Sequence, residues 1–195
     1  MKIVDLPFGR DSIPTLLNER ELGGAGVEIG VQRGLYSEIL LADWNGKVLY
    51  SVDPWEKQSG RIYRDADNVE QDIQESFYIE TRQRLAKFGN RSKILRMYSD
   101  EAVKRFPDHS LDFVYLDARH DYAGVSDDLA VWWGKVRDGG IIGGHDFIDK
   151  TTPDTDFGVK SAVLNFLTSV GHETVYQTED TRQHTSWLAY KGGLV

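Results

Sequence analysis

LDFVYLDARHDYAGVSDDLAVWWGKVRDGGIIGGHDF, residues 111–147, is the stretch whose reading decides the fold. It reads as strand, loop, helix, strand. Residues 113–116 form a short apolar run that ends in Asp117, with His120 three residues later. Tyr122, Val125, Leu129, Trp132 and Val136 then recur at helical spacing. Residues 140–143 form a second strand, ending in His145 and Asp146. In a parallel sheet both strand ends lie on one edge, where open α/β folds bind their ligands. Four groups able to bind a metal or move a proton therefore converge from two places in the sequence, which points to an enzyme.

Outward from that stretch the chain keeps the same alternation. A helix over 12–19 has Pro14 in its first turn and Ile13, Leu16 and Leu17 on one face; Gly23 and Gly24 close it. A buried strand over 27–30 leads to a helix over 35–42, and the Asn45-Gly46 turn to a strand over 47–52 that ends at Asp53. Residues 54–68 are polar and irregular. Val69, Ile73, Phe77, Leu85 and Phe88 mark a long amphipathic helix. A strand over 93–98 and a short helix over 100–106 follow. Beyond residue 147, Val159, Ala162, Val163, Phe166 and Val170 give one more helix, and 174–177 and 186–191 close the chain as two strands of opposite direction. The pattern predicts an α/β fold: a doubly wound, mostly parallel seven-stranded sheet with a C-terminal antiparallel strand pair. One domain over 1–195 is expected, with a helical cap in 1–24 and acceptor-side segments at 54–92 and 147–158.

Composition removes several classes. The chain has 195 residues and no cysteine, which excludes disulfides, thiolate chemistry and Cys-based zinc or iron–sulfur sites. A net charge of -8 and scattered Lys and Arg residues argue against nucleic acid as a partner. No apolar run approaches the roughly 18 residues of a membrane span, and the opening MKIVDLPFGRDSIPTLL does not read as a secretory signal. A cytoplasmic protein working on a small molecule is the expectation, with a homodimer left open.

VEIGVQRG, residues 27–34, puts an acid in a strand and glycines at the turn into a helix, where the backbone can turn tightly and approach a ligand. The spacing Gly30-x-x-x-Gly34 is not the dinucleotide fingerprint. Asp53 ends the next strand, 23 residues after Gly30, where a carboxylate can accept both ribose hydroxyls of a nucleoside-type cofactor. Taken together with SVDPW, YLDARHDY and GGIIGGHDF, these motifs resemble the class I S-adenosylmethionine-dependent methyltransferases. Within them, they resemble the metal-dependent small-molecule branch of macrocin-type sugar O-methyltransferases and cephalosporin hydroxylase-like relatives. The resemblance implies a Rossmann-like methyltransferase fold. It further implies that Glu28, Gly30 and Gly34 border the methionine end of the cofactor, that Asp53 holds the ribose, and that Ser99 and Asp100 lie by the adenine.

At the other strand ends, Asp117 and Asp146 are hard oxygen ligands suited to Mg²⁺ or Mn²⁺. Many relatives carry two acids, or an acid and an amide, where this chain has His145-Asp146. Histidine there favours softer cations such as Mn²⁺, Fe²⁺ or Zn²⁺, either as a ligand or as a group that orients one. His120 stands where macrocin-type relatives carry a candidate base. The implied reaction is metal-assisted methyl transfer to a hydroxyl of a sugar, glycoside or catechol-like diol. Two alternatives stay open: a hydroxylase with a two-histidine, one-carboxylate iron site, and a cofactor-binding module without turnover.

Elsewhere the expectations are plainer. Asp121 reads as a helix N-cap, Asp127 and Asp128 as solvent-facing, and His172 and His184 as surface or strand-end residues. Trp132 reads as core and Trp133 as its margin. Trp55 is a candidate pocket wall or lid, and Tyr63, Phe147 and Phe157 are candidates to shape an acceptor pocket.

Overall fold

The computed structural model describes residues 1–58, 64–179 and 184–192. In chain order it contains β1 (Lys2–Asp5), α1 (Ile13–Glu19), β2 (Ala25–Ile29), α2 (Leu35–Asp43), β3 (Val48–Asp53), α3 (Gln71–Leu85), β4 (Ser92–Arg96) and α4 (Ser99–Ala102). It continues with β5 (Leu111–Leu116), α5 (Tyr122–Trp132), β6 (Val136–Gly144), the short strands β7 (Asp149–Thr151) and β8 (Asp156–Gly158), α6 (Val159–Ser169), β9 (Thr174–Gln177) and β10 (Trp187–Tyr190). Eight strands form one sheet in the order β1-β9-β10-β6-β5-β2-β3-β4. All neighbours are parallel except β10, which runs against both β6 and β9.

From β2 the chain winds outward to β3 and β4, then returns to place β5 and β6 on the other side. The order reverses between β2 and β5, and a ligand crevice opens at such a switch point. Strand β5 shows why the sheet is double-sided. All six of its residues are buried. Phe113 and Tyr115 pack with α1, α2 and Trp44, while Val114 and Leu116 pack with α5, α6 and Trp132. Successive side chains of a strand point to opposite faces, so a strand covered on both reads as a continuous apolar run. Each such fully buried large side chain contributes roughly 1.5–3 kcal/mol from apolar burial.

Three features depart from the expected pattern. The sheet has an eighth strand, because Lys2–Asp5 pairs in parallel with β9 at the edge. Strand β6 begins at Val136 rather than at residue 140: its register with β5 jumps from Leu111↔Val136 to Phe113↔Ile141, with Gly139 at φ +78° inside the irregularity. The expected acceptor-side segment at 147–158, for which the sequence reading named no strand, contains the antiparallel β7–β8 hairpin. Among the described residues, no helix is long and apolar enough to cross a membrane.

Candidate functional site

Parallel register sets the site. Ile29 lies opposite Leu116 and Val52, and Leu116 lies opposite Gly144. The next residues along these strands are therefore Gly30, Asp53, Asp117 and His145, all on one edge. Gly30 has φ +85°, and a Cβ built there would fall 2.1 Å from the Asp117 carbonyl oxygen. Only glycine lets the two chain segments approach so closely.

The loop after Gly30 is organised by Asp53. Its Oδ2 accepts from the amides of Val31 and Gln32, both at 2.9 Å, and its Oδ1 accepts from the Trp55 amide at 2.7 Å. Burial raises the Asp53 pKa, and these three backbone hydrogen bonds work against that rise. One acceptor position of the carboxylate is left over, where the motif reading expected both oxygens to meet a ribose. Trp55 is fully buried: its indole donates to the Gln32 carbonyl at 2.7 Å and its ring packs on Tyr78. It props the loop from below and is not a lid. Gly34, at φ +73°, starts α2 against Thr81. Glu28 is buried beneath, accepting from the Ser37 hydroxyl, and burial pushes its carboxyl up to about 8.

Asp117, His120 and Asp146 offer ligand atoms that all lie within 4.8 Å of one another. His120 Nε2 is 3.2 Å from Asp146 Oδ2, and its Nδ1 is 2.6 Å from Asp65 Oδ2. His145 Nδ1 also lies 3.2 Å from Asp146 Oδ2 and 3.9 Å from Asp117 Oδ1, whereas its Nε2 is buried with no hydrogen-bond partner among the described residues. Asp146 takes φ +52°, sparsely populated for a side chain other than glycine or asparagine, and such backbone strain gathers at functional sites. Burial alone would lower the His120 pKa, but the nearby carboxylate of Asp117, the hydrogen bond to Asp65 and the charge of Asp146 outweigh it and raise it to about 11. Three carboxylates around it favour the protonated form of His120. Burial would raise Asp146, yet the histidines around it hold its pKa well below the usual carboxylate range.

Two cavities meet at this edge. The first, about 630 Å³, is lined by Arg10, Glu28, Tyr36, Asp117, His120, His145 and Asp146 together with Phe157 and His184. The second, about 160 Å³, runs from Asp53 and Pro54 past Met97, Tyr98 and Ser99 to Asp128. Gly30, Gln32, Asp67 and Asp117 line both. Arg10 reaches the first from the segment before α1, 3.4 Å from Asp117 and over the Tyr36 ring at 4.0 Å.

Several placements differ from the sequence reading. Ser99 lines the second cavity, but Asp100 is exposed and lines neither. Asp128 does not face solvent: it is half-buried, accepts from the Ser99 hydroxyl and lines the second cavity. Phe147 is buried in the core instead of shaping the pocket, because the chain turns inward after Asp146. Phe157 does line the first cavity, its ring tilted against His120 at 5.4 Å and edge-on to His184 at 5.1 Å. Tyr63 lies outside the described residues. Asp121 caps α5, accepting from the Gly124 amide. His184 is no bystander, since its Nδ1 hydrogen-bonds Asp146 Oδ1 inside the first cavity. Asp65 and His184 come from connecting segments whose local sequence carries no periodic signal, so only the fold brings them here.

The comparisons with known proteins bear on the fold and the family. A family model described as "Methyltransferase domain" matches residues 27–147, more than half of the chain. No curated protein sequence matches. Among solved structures, the O-methyltransferase TomG from Streptomyces achromogenes, in complex with SAM, is 18% identical with a TM-score of 0.61, covering 94% of this chain and 79% of its own. The O-methyltransferase from Bacillus cereus, in complex with SAH, is 15% identical at a TM-score of 0.61, covering 91% and 77%. A precorrin-6y C5,15-methyltransferase from Geobacter metallireducens is 16% identical at 0.59, covering 93% and 87%. At such identities the likeness is one of fold. The family match carries more: with its span running from the glycine-bordered strand to Phe147 and including every strand end of the site, the chain belongs to the methyltransferase-domain family, on the class I methyltransferase fold.

Proposed function

We propose that the chain is an S-adenosylmethionine-dependent O-methyltransferase that acts on a hydroxyl of a small molecule (a sugar, glycoside or catechol-like diol) with help from a divalent cation, Mg²⁺ or Mn²⁺. The observation that carries this is the meeting of two cavities across Gly30, Gln32, Asp67 and Asp117, one bordered by the glycine loop and the other by a carboxylate–imidazole cluster. A cofactor lying along the second cavity would bring its reactive end to the cluster in the first.

The donor set fits a cation. Two carboxylates and an imidazole converge within 4.8 Å, and the unpartnered Nε2 of buried His145 supplies a further nitrogen nearby. Asp117 and Asp146 would hold the ion, with His145 and His120 beside them. The nitrogen content suits Mn²⁺ better than Mg²⁺. When bound, such an ion supplies Lewis acidity that eases ionisation of a hydroxyl, and the sulfonium cofactor supplies an electrophilic methyl group. The chain itself positions and deprotonates. Asp65 holds the Nδ1 side of His120, leaving Nε2 as the proton-accepting atom. His120 can accept a proton only where the field of the surrounding carboxylates is compensated. Arg10, Phe157 and His184 line the side from which an acceptor would enter. Holding oxygen and methyl carbon at near-attack distance accounts for several kcal/mol of the barrier.

The net charge of -8 supports a small acceptor rather than a nucleic acid, and nothing in the reading calls for a membrane. Cytoplasmic working goes with the lack of cysteines, and a homodimer is compatible with it. The test offers methyl-labelled cofactor with a panel of sugars, glycosides and diols, with and without EDTA. Label on an acceptor oxygen that disappears on chelation, and in His120→Ala, supports the proposal. Label on carbon or nitrogen, or transfer indifferent to EDTA, defeats the oxygen or the metal half of it. Three imidazoles in one cavity favour one other reading, an iron-dependent hydroxylase; Fe²⁺-dependent oxygen uptake without cofactor turnover would replace the proposal with it.

A further inference from the structure

We propose that Asp128, on α5, reads the base of the cofactor by accepting a hydrogen bond from the exocyclic amine of adenine. The inference rests on the S-adenosylmethionine reading above.

The far end of the second cavity is lined by Met97, Tyr98, Ser99, Ala118, Arg119 and Asp128. Recognition there needs a polar atom that the fold has not already used. The Ser99 hydroxyl is committed: it accepts from the Trp132 indole at 2.8 Å and gives its own hydrogen to Asp128 Oδ1. Asp100 is exposed and lines neither cavity. Asp128 differs from both. Its Oδ1 is fixed by Ser99, while Oδ2 accepts no hydrogen bond from any described residue. The Trp132–Ser99–Asp128 chain thus holds a carboxylate in one orientation at the cavity wall. A chain of this kind strengthens and aims its terminal acceptor.

A carboxylate accepts and does not donate. It suits the two N–H groups of an exocyclic amine and repels the carbonyl that a hypoxanthine or guanine base carries at the same place. Burial pushes the Asp128 pKa up to about 6, and the Ser99 hydrogen bond and the Arg119 charge work against that rise. Beyond the Ser99 hydroxyl and the attraction of Arg119, which lines the same cavity, α5 packs through an apolar stripe of Val125, Leu129 and Trp132. A site built to hydrogen-bond one group rejects the analogue lacking it more strongly than an apolar pocket can, because its own polar atom is left unpaired.

The test is calorimetric titration of the whole chain with S-adenosylhomocysteine and with S-inosylhomocysteine, which carries a carbonyl in place of the amine. The wild type is expected to prefer the adenosyl compound by about 30-fold or more. In Asp128→Asn, with Ser99 still bound to the amide oxygen, an N–H₂ faces the cavity, and the preference falls by about 10-fold or reverses. Asp100→Asn leaves the ratio unchanged. Asp128→Ser supplies the same readout should the asparagine variant not fold. If the Asp128 variants weaken both ligands equally, or leave the ratio untouched, Asp128 is only a structural residue and the inference is overturned while the methyltransferase reading stands. If the wild type binds neither nucleoside, the cofactor reading itself fails and this one with it.

Discussion

The two cavities at the strand ends are built by opposite means. The second is held by backbone: Asp53 gathers three amides, Trp55 props the loop from beneath, and Gly30 lets two segments touch. The first is held by charge: Asp65, Asp117 and Asp146 surround His120, while His145 and His184 lean on Asp146. A backbone-built pocket is shaped before its ligand arrives. A charge-built pocket changes with every proton or cation that enters it. The difference matches a constant cofactor on one side and a reacting group on the other.

The sharpest way to break this contrast is at Gly30, where both cavities share a wall. Gly30→Ala must tolerate φ +85° and a methyl 2.1 Å from a carbonyl oxygen. Strain and overpacking together are expected to cost about 3 kcal/mol, or about 6–12 °C in melting temperature, and to abolish S-adenosylhomocysteine binding. Thermal unfolding and calorimetry measure both. If the variant binds normally, the backbone account of the second cavity is wrong.

Asp146→Asn separates the cavities from each other. Asparagine accepts the φ of +52° that Asp146 adopts, so the backbone should survive. The anchor for three histidines loses its charge. Methyl transfer is expected to fall at least about 100-fold, with the S-adenosylhomocysteine dissociation constant unchanged within about 3-fold. Equal losses in turnover and cofactor binding would mean that the two pockets are one electrostatic unit.

Glu28 tests charge beneath the loop. Its folded pKa, about 8, lies above the unfolded value near 4.5, so the folded state holds a proton that the unfolded chain has released. Between those values the unfolded chain binds fewer protons, and stability falls as pH rises. The slope is at most about 1.4 kcal/mol per pH unit. Glu28→Gln has no such proton to lose. Its melting temperature should draw ahead of the wild type from pH 5 to 8 and keep a constant lead above that. A lead that is the same at pH 5 and pH 8 would show that Glu28 titrates normally.

What could be read from the chain alone follows the same division. Strands β2, β3, β5 and β6 are legible because a doubly covered parallel strand must be an apolar run, and the groups that end it stand out against it. The convergence of Asp117 with Asp146 follows from parallel pairing and nothing else. Strand β1 is not legible, since four residues at a sheet edge, exposed on most sides, show no period. Asp128 could have been found: it lies three residues after Val125 and four before Trp132, which puts it at the margin of the apolar stripe. Asp65 and His184 could not, because their partners are 55 and 38 residues away and neither residue lies in a helix or strand.

The smallest effect is expected at the roof of the first cavity, where the segment carrying Asp65 meets the β7–β8 hairpin. Arg64 pairs with Asp156 through two contacts, at 3.2 and 2.5 Å, and the Ala66 amide donates to Thr155 Oγ1 at 3.2 Å. The ion pair is half exposed, and pairs of that kind contribute at most about 1 kcal/mol. Arg64→Ala should therefore leave melting within about 2–4 °C of the wild type. Its consequence lies in position: Asp65, the next residue, holds Nδ1 of His120, so loosening the latch loosens the imidazole that faces the acceptor. A rise of about 3-fold in acceptor KM, with cofactor affinity untouched, is the result that keeps the roof on the charge-built side. A matching loss of cofactor affinity would instead tie the roof to the backbone-built pocket, and the division between the two cavities would have to be redrawn at Asp67, which lines both.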